Sequence, residues 1–486
     1  MTSSKSFPGR RGLLLALAAL CSLAVSCGGG GGSNNSNSSG STIAQQIASC
    51  TAGLPALSVP TTGNSVPVIL DAGPCAYGVP PGSPAGTAAS VFVVGAANVP
   101  YTSVTVCTPG TTSCQTIDHV LVDTGSTGLR LMSSAVSSAL SLPSISTGNG
   151  PLIECIQFAD GYSWGSMRRA DVKLAGEVAT NIPVQVIGDA SSYSVPGTCS
   201  STSTHALNDS ISFGANGVLG IGVFAQDCGS GCVTTPTSLY YACPTTSTCA
   251  ETAVAVANQA TNPVFAFPAD YNGVLLQFPS LAANGGALNL TGTLTFGINT
   301  QTNNQTSSVS PSGAIYLADD TGDFFSTINS VGGGYTFTAT AYSNSFIDSG
   351  SNGIYLPGTN IPTDATSGWF IPVDAATGNI ITINATQSGS TGFGYVNGVP
   401  TSTPTSTTNT FNFSIANANT VLFSSGNGSN TAFSSLGASS TFAATSVGGI
   451  DWGMPFFFGR PVFVGMEGNT ITLGNGSNGQ GPLWVY

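Results

Sequence analysis

Residues 119–132 read HVLVDTGSTGLRLM, and residues 344–357 read NSFIDSGSNGIYLP. Each stretch is an apolar run that ends in Asp, followed by Thr or Ser, then Gly, then Ser, with another Gly two positions further on. The β-branched and aromatic residues favour a strand, and the turn exposes the Asp carboxylate at the strand end. A single turn of this kind is usually a plain turn former. Two copies with matching apolar flanks, one in each half of the chain, indicate a duplicated unit whose turns could face each other.

The overall composition predicts an all-β protein. Charged residues make up only 6% of the 486 residues, against about 25% in a typical soluble domain, whereas glycine occurs 63 times and proline 28 times. Lys and Glu, which normally fill exposed helix faces, are scarce. Short Val, Ile, Thr, Phe and Tyr runs between Gly, Ser, Asn and Pro clusters are typical of strands joined by turns. A helix-rich fold is therefore excluded.

The N-terminus has the pattern of an export signal. Lys5, Arg10 and Arg11 precede an apolar run over residues 13–25, which is too short to span a membrane. Residues 23–27 (LAVSC) resemble a bacterial lipoprotein cleavage box, so residues 1–27 are predicted to be a signal peptide that ends at an acylated Cys27. Residues 28–42 are predicted to be a flexible tether of Gly, Ser and Asn. By the usual sorting rule, Gly28 favours the outer membrane of a Gram-negative bacterium, which the lipid anchor would contact.

Charge and cysteine use agree with export. The formal net charge of −12 disfavours nucleic acid as a partner. Ten cysteines follow Cys27, an even number that predicts up to five disulfides in an oxidising compartment. Zinc is disfavoured because the chain has only two His and no paired CxxC motif. The pairs predicted to form short staples are Cys107 with Cys114, Cys228 with Cys232, and Cys243 with Cys249.

The two Asp motifs and the segments around them resemble the pepsin-like (bilobal) aspartic peptidases, in a divergent branch of bacterial lipoproteins. In that family an apolar segment ending in Gly lies beside each Asp turn. Residues 218–222 (VLGIG) resemble the first such segment, and residues 457–463 (FFGRPVF) resemble the second. Residues 161–167 (GYSWGSM) resemble the flap hairpin, with Tyr162 at the flap tyrosine. The ordered set covers roughly residues 90–486.

The resemblance implies a two-lobed fold with an active-site cleft between the lobes. Residues 89–303 would form the N-terminal lobe, and residues 304–486 the C-terminal lobe. Residues 43–88 match nothing in the family and are predicted to be an N-terminal extension of unknown fold. Residues 386–445, rich in Ser, Thr, Asn and Gly, are predicted to be an insertion forming an exposed loop or an edge hairpin.

The resemblance also implies a chemistry. An aspartic endopeptidase hydrolyses peptide bonds with a water held between two carboxylates, one ionised and one protonated, and it needs neither a metal nor a cofactor. The predicted carboxylates are Asp123 and Asp348, and the substrate would be an exported or environmental polypeptide. Around them, Ser hydroxyls would bond the outer carboxylate oxygens, the Thr124 and Ser349 hydroxyls would bond across the interface, and the glycines would leave room for the water. These supporting residues are Thr124, Gly125, Ser126, Ser349, Gly350 and Ser351.

Several features depart from the family pattern and leave a second function open. Arg130 stands where the family places a tryptophan that bonds the flap tyrosine, so it could bond Tyr162 or favour ionisation of the nearby Asp. Residues 28–129 contain no Lys or Arg, so the family's basic prosegment is absent. The alternative is a catalytically inactive lipoprotein that serves as a surface binding module. A serine-hydrolase elbow at residues 161–165 is disfavoured, because only His205 follows as a base and the composition does not support an α/β sheet. Trp164, Arg168 and Arg169 are expected on the hairpin surface, and His119 is expected to have no catalytic role.

Overall fold

The computed structural model describes residues 42–486 except 56, 81–82, 202, 204, 309–314, 319–320, 392–394, 397–398, 401–402, 424–428, 441–447 and 473–477. The predicted signal peptide, Cys27 and almost all of the predicted tether lie outside the described residues. None of the described helices is long and apolar enough to cross a membrane.

Strands far outnumber helices in the described chain, which confirms the all-β prediction. The helices are α1 (Ile43–Thr51), α2 (Ser210–Phe213), α3 (Gly231–Thr234) and α4 (Ala418–Phe423), with 3-10 turns at Val256–Asn258, Val264–Ala266, Thr306–Ser308 and Met454–Phe457. The strands up to the second Asp turn are β1 (Ser65–Leu70), β2 (Cys75–Gly78), β3 (Ser90–Val93), β4 (Pro100–Cys107), β5 (Cys114–Asp123), β6 (Thr127–Met132), β7 (Ser146–Thr147), β8 (Gly150–Gln157), β9 (Tyr162–Leu174), β10 (Glu177–Ile187), β11 (Gly217–Ile221), β12 (Tyr240–Thr245), β13 (Thr248–Glu251), β14 (Gly273–Gln277), β15 (Leu290–Phe296), β16 (Ile315–Leu317), β17 (Phe324–Val331) and β18 (Ala341–Ile347). The later strands are β19 (Ile354–Leu356), β20 (Ile380–Thr391), β21 (Tyr395–Val396), β22 (Val399–Pro400), β23 (Thr403–Ala416), β24 (Gly437–Ser439), β25 (Asp451–Trp452), β26 (Val462–Gly465), β27 (Thr470–Thr472), β28 (Asn478–Gln480) and β29 (Leu483–Val485).

Two sheets contain most of the described strands, and each carries one Asp turn. The larger sheet runs β13–β12–β8–β9–β10–β6–β11–β5–β4–β1–β15–β14–β26–β29–β16, with β7 paired to β8. The smaller sheet runs β23–β20–β17–β18–β25–β19–β24. The strands β14 and β15 pair beside β26 and β29, so strands from both halves of the chain lie together at one end of the larger sheet.

The same three-strand arrangement surrounds both Asp turns. In the first half, β11 lies between β5, which is parallel to it, and β6, which is antiparallel, with Gly220 opposite Asp123. In the second half, β25 lies in the same way between β18 and β19, with Trp452 opposite Ile347. The segment beside the second turn is therefore residues 450–453, and the prediction of residues 457–463 was wrong. That later segment leaves the turn and enters β26, which pairs with β14 in the larger sheet.

The predicted N-terminal extension is not separate from the rest of the fold. Its strand β1 pairs along its whole length with β15 and also pairs with β4. Asp71, just after β1, accepts a hydrogen bond from the backbone of Gly73 and lies 3.1 Å from the His119 ring on β5. Residue 89 is therefore not a boundary of the sheet, because residues 65–70 already belong to it.

Disulfides and aromatic packing stabilise different halves. The three predicted short disulfides form, together with Cys50–Cys75 and Cys155–Cys199. In the second half, the ring of Trp452 packs against Phe411, Phe413 and Phe456. Phe411 and Phe413 lie on β23, the edge strand of the smaller sheet, whose earlier residues are mostly exposed. The edge hairpin expected in residues 386–445 is therefore present, although its first strand, β20, begins earlier, at Ile380.

Candidate active site

The two Asp turns lie directly against each other. A side-chain Cβ built on Gly125 would lie 2.6 Å from Cγ of Asp348, and one built on Gly350 would lie 2.7 Å from Oδ1 of Asp123. No residue larger than glycine fits at such distances without movement of the opposite carboxylate. Each Asp carboxylate therefore packs against the glycine backbone of the opposite turn.

A reciprocal set of hydrogen bonds holds the turns at the same level. The Thr124 hydroxyl donates to the carbonyl of Ile347 (2.9 Å) and accepts from the backbone N–H of Ser349 (2.9 Å). The Ser349 hydroxyl donates to the carbonyl of Val122 (2.7 Å) and accepts from the N–H of Thr124 (3.1 Å). All these groups are buried, so breaking one bond would leave its partner unsatisfied away from water. The hydrogen bonds therefore fix the distance between the two carboxylates.

Each carboxylate also accepts a hydrogen bond inside its own turn. Gly125 donates to Oδ1 of Asp123 (2.8 Å), and Gly350 donates to Oδ1 of Asp348 (2.7 Å). Asp123 is 3% exposed and Asp348 is 1% exposed. Burial, followed by the charges of Asp123 and Asp451, raises the pKa of Asp348 well above its ordinary value. A hydrogen bond to Asp123 adds to this rise, so the raised pKa favours a protonated Asp348.

The outer oxygens of the two carboxylates have different surroundings. The Ser351 hydroxyl lies 2.9 Å from Oδ2 of Asp348 and 2.6 Å from Oδ2 of Asp451. The Ser126 hydroxyl in the first turn is buried and makes no hydrogen bond. The predicted Ser hydrogen bond to the outer oxygen is thus present in the second turn and absent from the first.

Asp451 is a carboxyl of the site that the sequence reasoning missed. It lies on β25 opposite Tyr355, as Val218 lies on β11 opposite Arg130. Placing the second segment at residues 457–463 removed Asp451 from consideration. The signal that could have found it is the run Ile450-Asp451-Trp452-Gly453, an apolar segment ending in Gly that an Asp interrupts.

Tyr162 lies in the hairpin predicted to be the flap, but the cluster in which it packs contains no residue of either Asp turn. It begins β9 and packs in a buried cluster with Cys155, Trp164 and Tyr241. Its backbone is bonded to His205 and Leu207. No described hydrogen bond or ring contact joins Tyr162 to Asp123 or Asp348. The expectation that Trp164 lies on the surface was wrong, since Trp164 is 1% exposed and packs edge-on against Tyr241.

Arg130 bonds neither Tyr162 nor the catalytic candidates. Its guanidinium is fully buried and donates to Glu154 (2.5 Å), to Asp227 (3.1 Å) and to the carbonyl of Thr127 (2.8 Å). Burial and the nearby Glu154 raise the pKa of Asp227, whose carboxyl also accepts from the Tyr240 hydroxyl. The role predicted for Arg130 was wrong, because the Glu154 carboxylate on β8 pairs with its positive charge. Through Thr127, Arg130 anchors the strand that leaves the first Asp turn.

A groove and two arginines of the described residues lie outside the Asp turns. A groove of about 1080 Å³ runs between α1, β2 and the far end of β5, and none of its lining residues belongs to either Asp turn. Arg168 pairs with Asp189 at 2.9 Å, and Arg169 bonds to Asn258. No group of three His, Cys, Asp or Glu side chains among the described residues could hold a metal ion. The two facing carboxyls of the Asp turns can transfer protons to and from a bound molecule.

The geometry defines an all-β protein in which an Asp turn occurs twice, and hydrogen bonds join the two turns. The chain belongs to the family described as "Protein of unknown function (DUF3443)", whose sequence model matches residues 86–486. No curated protein matches the chain in sequence. Among solved structures, the chain is similar to the crystal structure of an aspartic proteinase from Irpex lacteus, with a TM-score of 0.39 and 14% sequence identity, over 80% of this chain and 93% of that chain.

Proposed function

We propose that the protein is an aspartic endopeptidase that hydrolyses peptide bonds with a water activated between Asp123 and Asp348. The observation that carries this proposal is the facing arrangement of the two carboxylates, each lying against the glycine of the opposite turn. A structural role for two Asp turns would not require their carboxyls to approach one another, because each turn could be closed by its own backbone. Two buried carboxyls that share a proton are the arrangement that acid–base hydrolysis needs.

The raised pKa of Asp348 assigns the roles of the two carboxyls. Asp348 enters the cycle protonated, since burial and its two acidic neighbours raise its pKa. Asp123 then carries the negative charge and removes a proton from the water as it attacks the peptide carbonyl carbon. Asp348 gives its proton to the carbonyl oxygen. In the second half of the reaction the proton gained by Asp123 passes to the leaving nitrogen, and the Asp348 carboxyl takes a proton back from a hydroxyl of the tetrahedral intermediate. The C–N bond then breaks to give a carboxylic acid and an amine.

The proposed substrates are polypeptides met outside the cytoplasm. The proposed anchor is a lipid on Cys27, followed by the tether, which would keep the protein at the outer membrane of a Gram-negative cell. Fatty-acid labelling of cells and membrane fractionation test this directly. Label on the wild type, and its loss in Cys27→Ala, are expected; an unlabelled wild-type protein would contradict the anchor.

The activity is tested with the full chain, purified in detergent, acting on an unfolded protein between about pH 3 and pH 7. Asp123→Asn and Asp348→Asn are expected to reduce kcat by about 10²–10⁴-fold, the usual contribution of a general acid or base. Asp364→Asn is the matched control, because Asp364 lies in a surface turn where it bonds Thr366 and Ser367. Circular dichroism checks that each variant folds. A folded wild type that cleaves nothing at any pH would refute the peptidase and favour the binding module.

A further inference from the structure

Asp451 is a buried carboxyl with an unusual set of partners. Its side chain is fully buried on β25. Its Oδ2 lies 2.6 Å from the Ser351 hydroxyl oxygen, and its Oδ1 is buried without a hydrogen-bond partner. An ionised carboxylate with one oxygen in this state would be strongly destabilised, since no protein donor offsets its buried charge. The geometry favours a neutral, protonated Asp451.

The proton count at Ser351 leads to the same conclusion. A serine hydroxyl carries one proton, so it can donate to only one of two carboxyls. Ser351 contacts Asp451 at 2.6 Å and Asp348 at 2.9 Å, both within hydrogen-bond distance. One of these contacts therefore needs a proton that comes from a carboxyl. The proton of Asp348 is used in its hydrogen bond to Asp123, so in the resting arrangement Asp451 donates to Ser351, and Ser351 donates to Oδ2 of Asp348.

We propose that Asp451 is a positioning residue that holds a proton for Asp348 and delivers it through the Ser351 hydroxyl. This inference rests on the peptidase function proposed above. After Asp348 has given its proton to the substrate, the O–H bond of Asp451 breaks and its proton joins the Ser351 oxygen. The original Ser351 proton passes at the same time to Oδ2 of Asp348. The products are a carboxylate at Asp451 and a protonated Asp348. When the tetrahedral intermediate breaks down, its hydroxyl proton passes to Oδ1 of Asp348 and the proton on Oδ2 returns through Ser351 to Asp451, so protons and charge balance over the cycle without any other reactant.

The surroundings of Asp451 limit which groups can influence it. Burial, followed by the charge of Asp123, raises the pKa of Asp451 well above its ordinary value, although the hydrogen bond from Ser351 opposes the shift. The other titratable groups packed near it are Asp348 in the turn and Tyr355 on β19, whose hydroxyl donates to Asn352. The paired residue on β18 is the uncharged Phe346. No cation is among these neighbours, so Asp451 is neutral unless it hands its proton on.

The first half of the chain shows that a polar residue is not needed at this position for the fold. Val218 occupies the equivalent place beside the first turn and is fully buried. Asp451 is therefore not a general requirement of the three-strand arrangement. Replacing the buried carboxyl by an uncharged residue of similar size removes the proton but keeps the strand pairing.

The test compares Asp451→Asn and Ser351→Ala with the wild-type full chain and with Asp364→Asn. In Asp451→Asn, kcat is expected to fall by about 10–100-fold, less than in Asp348→Asn, because only the supply of the proton is removed. The alkaline limb of the pH–kcat profile is expected to move to lower pH, since the variant lacks the carboxylate that the transfer leaves on Asp451, whose charge raises the pKa of Asp348. Ser351→Ala is expected to reduce kcat similarly, and the double variant is expected to lose no more than either single one. An unchanged alkaline limb, or additive losses, would overturn the proposal.

A second measurement does not depend on activity. A carboxyl with a raised pKa stabilises the fold below its unfolded pKa, about 4, and this contribution is lost as pH rises through the folded pKa. The Tm of the wild type is therefore expected to fall as pH rises from about 4, and less steeply in Asp451→Asn than in Asp364→Asn. Equal slopes of Tm against pH in Asp451→Asn and Asp364→Asn would contradict the inference that Asp451 is neutral. If the wild type cleaves nothing but the slopes of Tm against pH differ between the two variants, the peptidase function is refuted and the protonated, buried Asp451 is supported. If Asp451→Asn does not fold, Ser351→Ala carries the kinetic test alone.

Discussion

The two Asp turns have the same backbone arrangement, but the buried residues that pack behind them differ. Both have a glycine against the opposite carboxylate and a hydroxyl that crosslinks the halves. Behind the first turn, the buried charge is Arg130 on β6, opposite Val218. Behind the second, the buried ionisable group is Asp451 on β25, opposite Tyr355. The two turns thus share the groups that set the distance between the carboxylates, whereas the buried residues that support the turns differ.

The largest expected effect on stability is at Arg130. Arg130→Met would leave Glu154 and Asp227 buried without their cation, at a cost of about 3–5 kcal/mol in unfolding free energy. Chemical denaturation of the full chain measures this, with Arg168→Met as the control because its ion pair is partly exposed. An equal, small effect of both variants would show that the first turn does not depend on its buried charge.

The next effect is a pH dependence that a buried histidine gives to the first half. Although burial lowers it, hydrogen bonds to Asp118 and Asp71 raise the pKa of His119 to about 9. The equivalent position before the second turn is the uncharged Asn344. Stability from His119 is complete below its unfolded pKa, about 6.5, and is lost as pH rises through about 9, a change of about 2–3 kcal/mol.

Thermal denaturation between about pH 6 and pH 10 measures this loss. Asp71→Asn is expected to reduce the fall in Tm over that window, because it removes one of the two charges that hold the proton on His119. The ring of Tyr101 also packs on His119, but its own pKa is raised well above this range by burial. A fall of the same size in wild type and variant would contradict the assignment.

The glycines test what the two turns have in common. Gly125→Ala and Gly350→Ala are expected to cost about 1–3 kcal/mol each and to abolish cleavage, since the new methyl would push the opposite carboxylate away. Gly148→Ala is the control, because a Cβ there meets no atom within 4 Å. A large loss at one glycine and none at the other would show that the turns do not share their geometry.

The smallest effect is expected at Tyr355, which stands in the second half where Arg130 stands in the first. Tyr355→Phe removes the hydrogen bond to Oδ1 of Asn352 (2.7 Å), at a cost of about 1 kcal/mol. The comparison with Arg130→Met in the same denaturant series sharpens the contrast between a neutral and a charged support. If Tyr355→Phe lost as much unfolding free energy as Arg130→Met, the neutral and the charged support would not differ in their contribution.

The sequence predicted the features that depend on local pattern. The two Asp motifs, the strand-rich composition and three short disulfides can be read from spacing alone, because their partners lie within a few residues. What was missed depends on long-range pairing. Asp451 reaches Ser351 across 100 residues, and β1 pairs with a strand more than 200 residues later. Arg130 was misassigned because the partner that neutralises it, Glu154, lies on a different strand and carries no motif.

The disulfide between Cys50 and Cys75 has a mechanical consequence. It closes a covalent loop, and β1 lies inside that loop. Tension applied at the N-terminus therefore passes from Cys50 to Cys75 through the sulfur bridge, and the slack segment between them bears almost none of it. Strand β1 stays paired with β15 while the chain is pulled. Under reducing conditions the same pull would travel along the backbone and peel β1 from the sheet that contains strands of both halves.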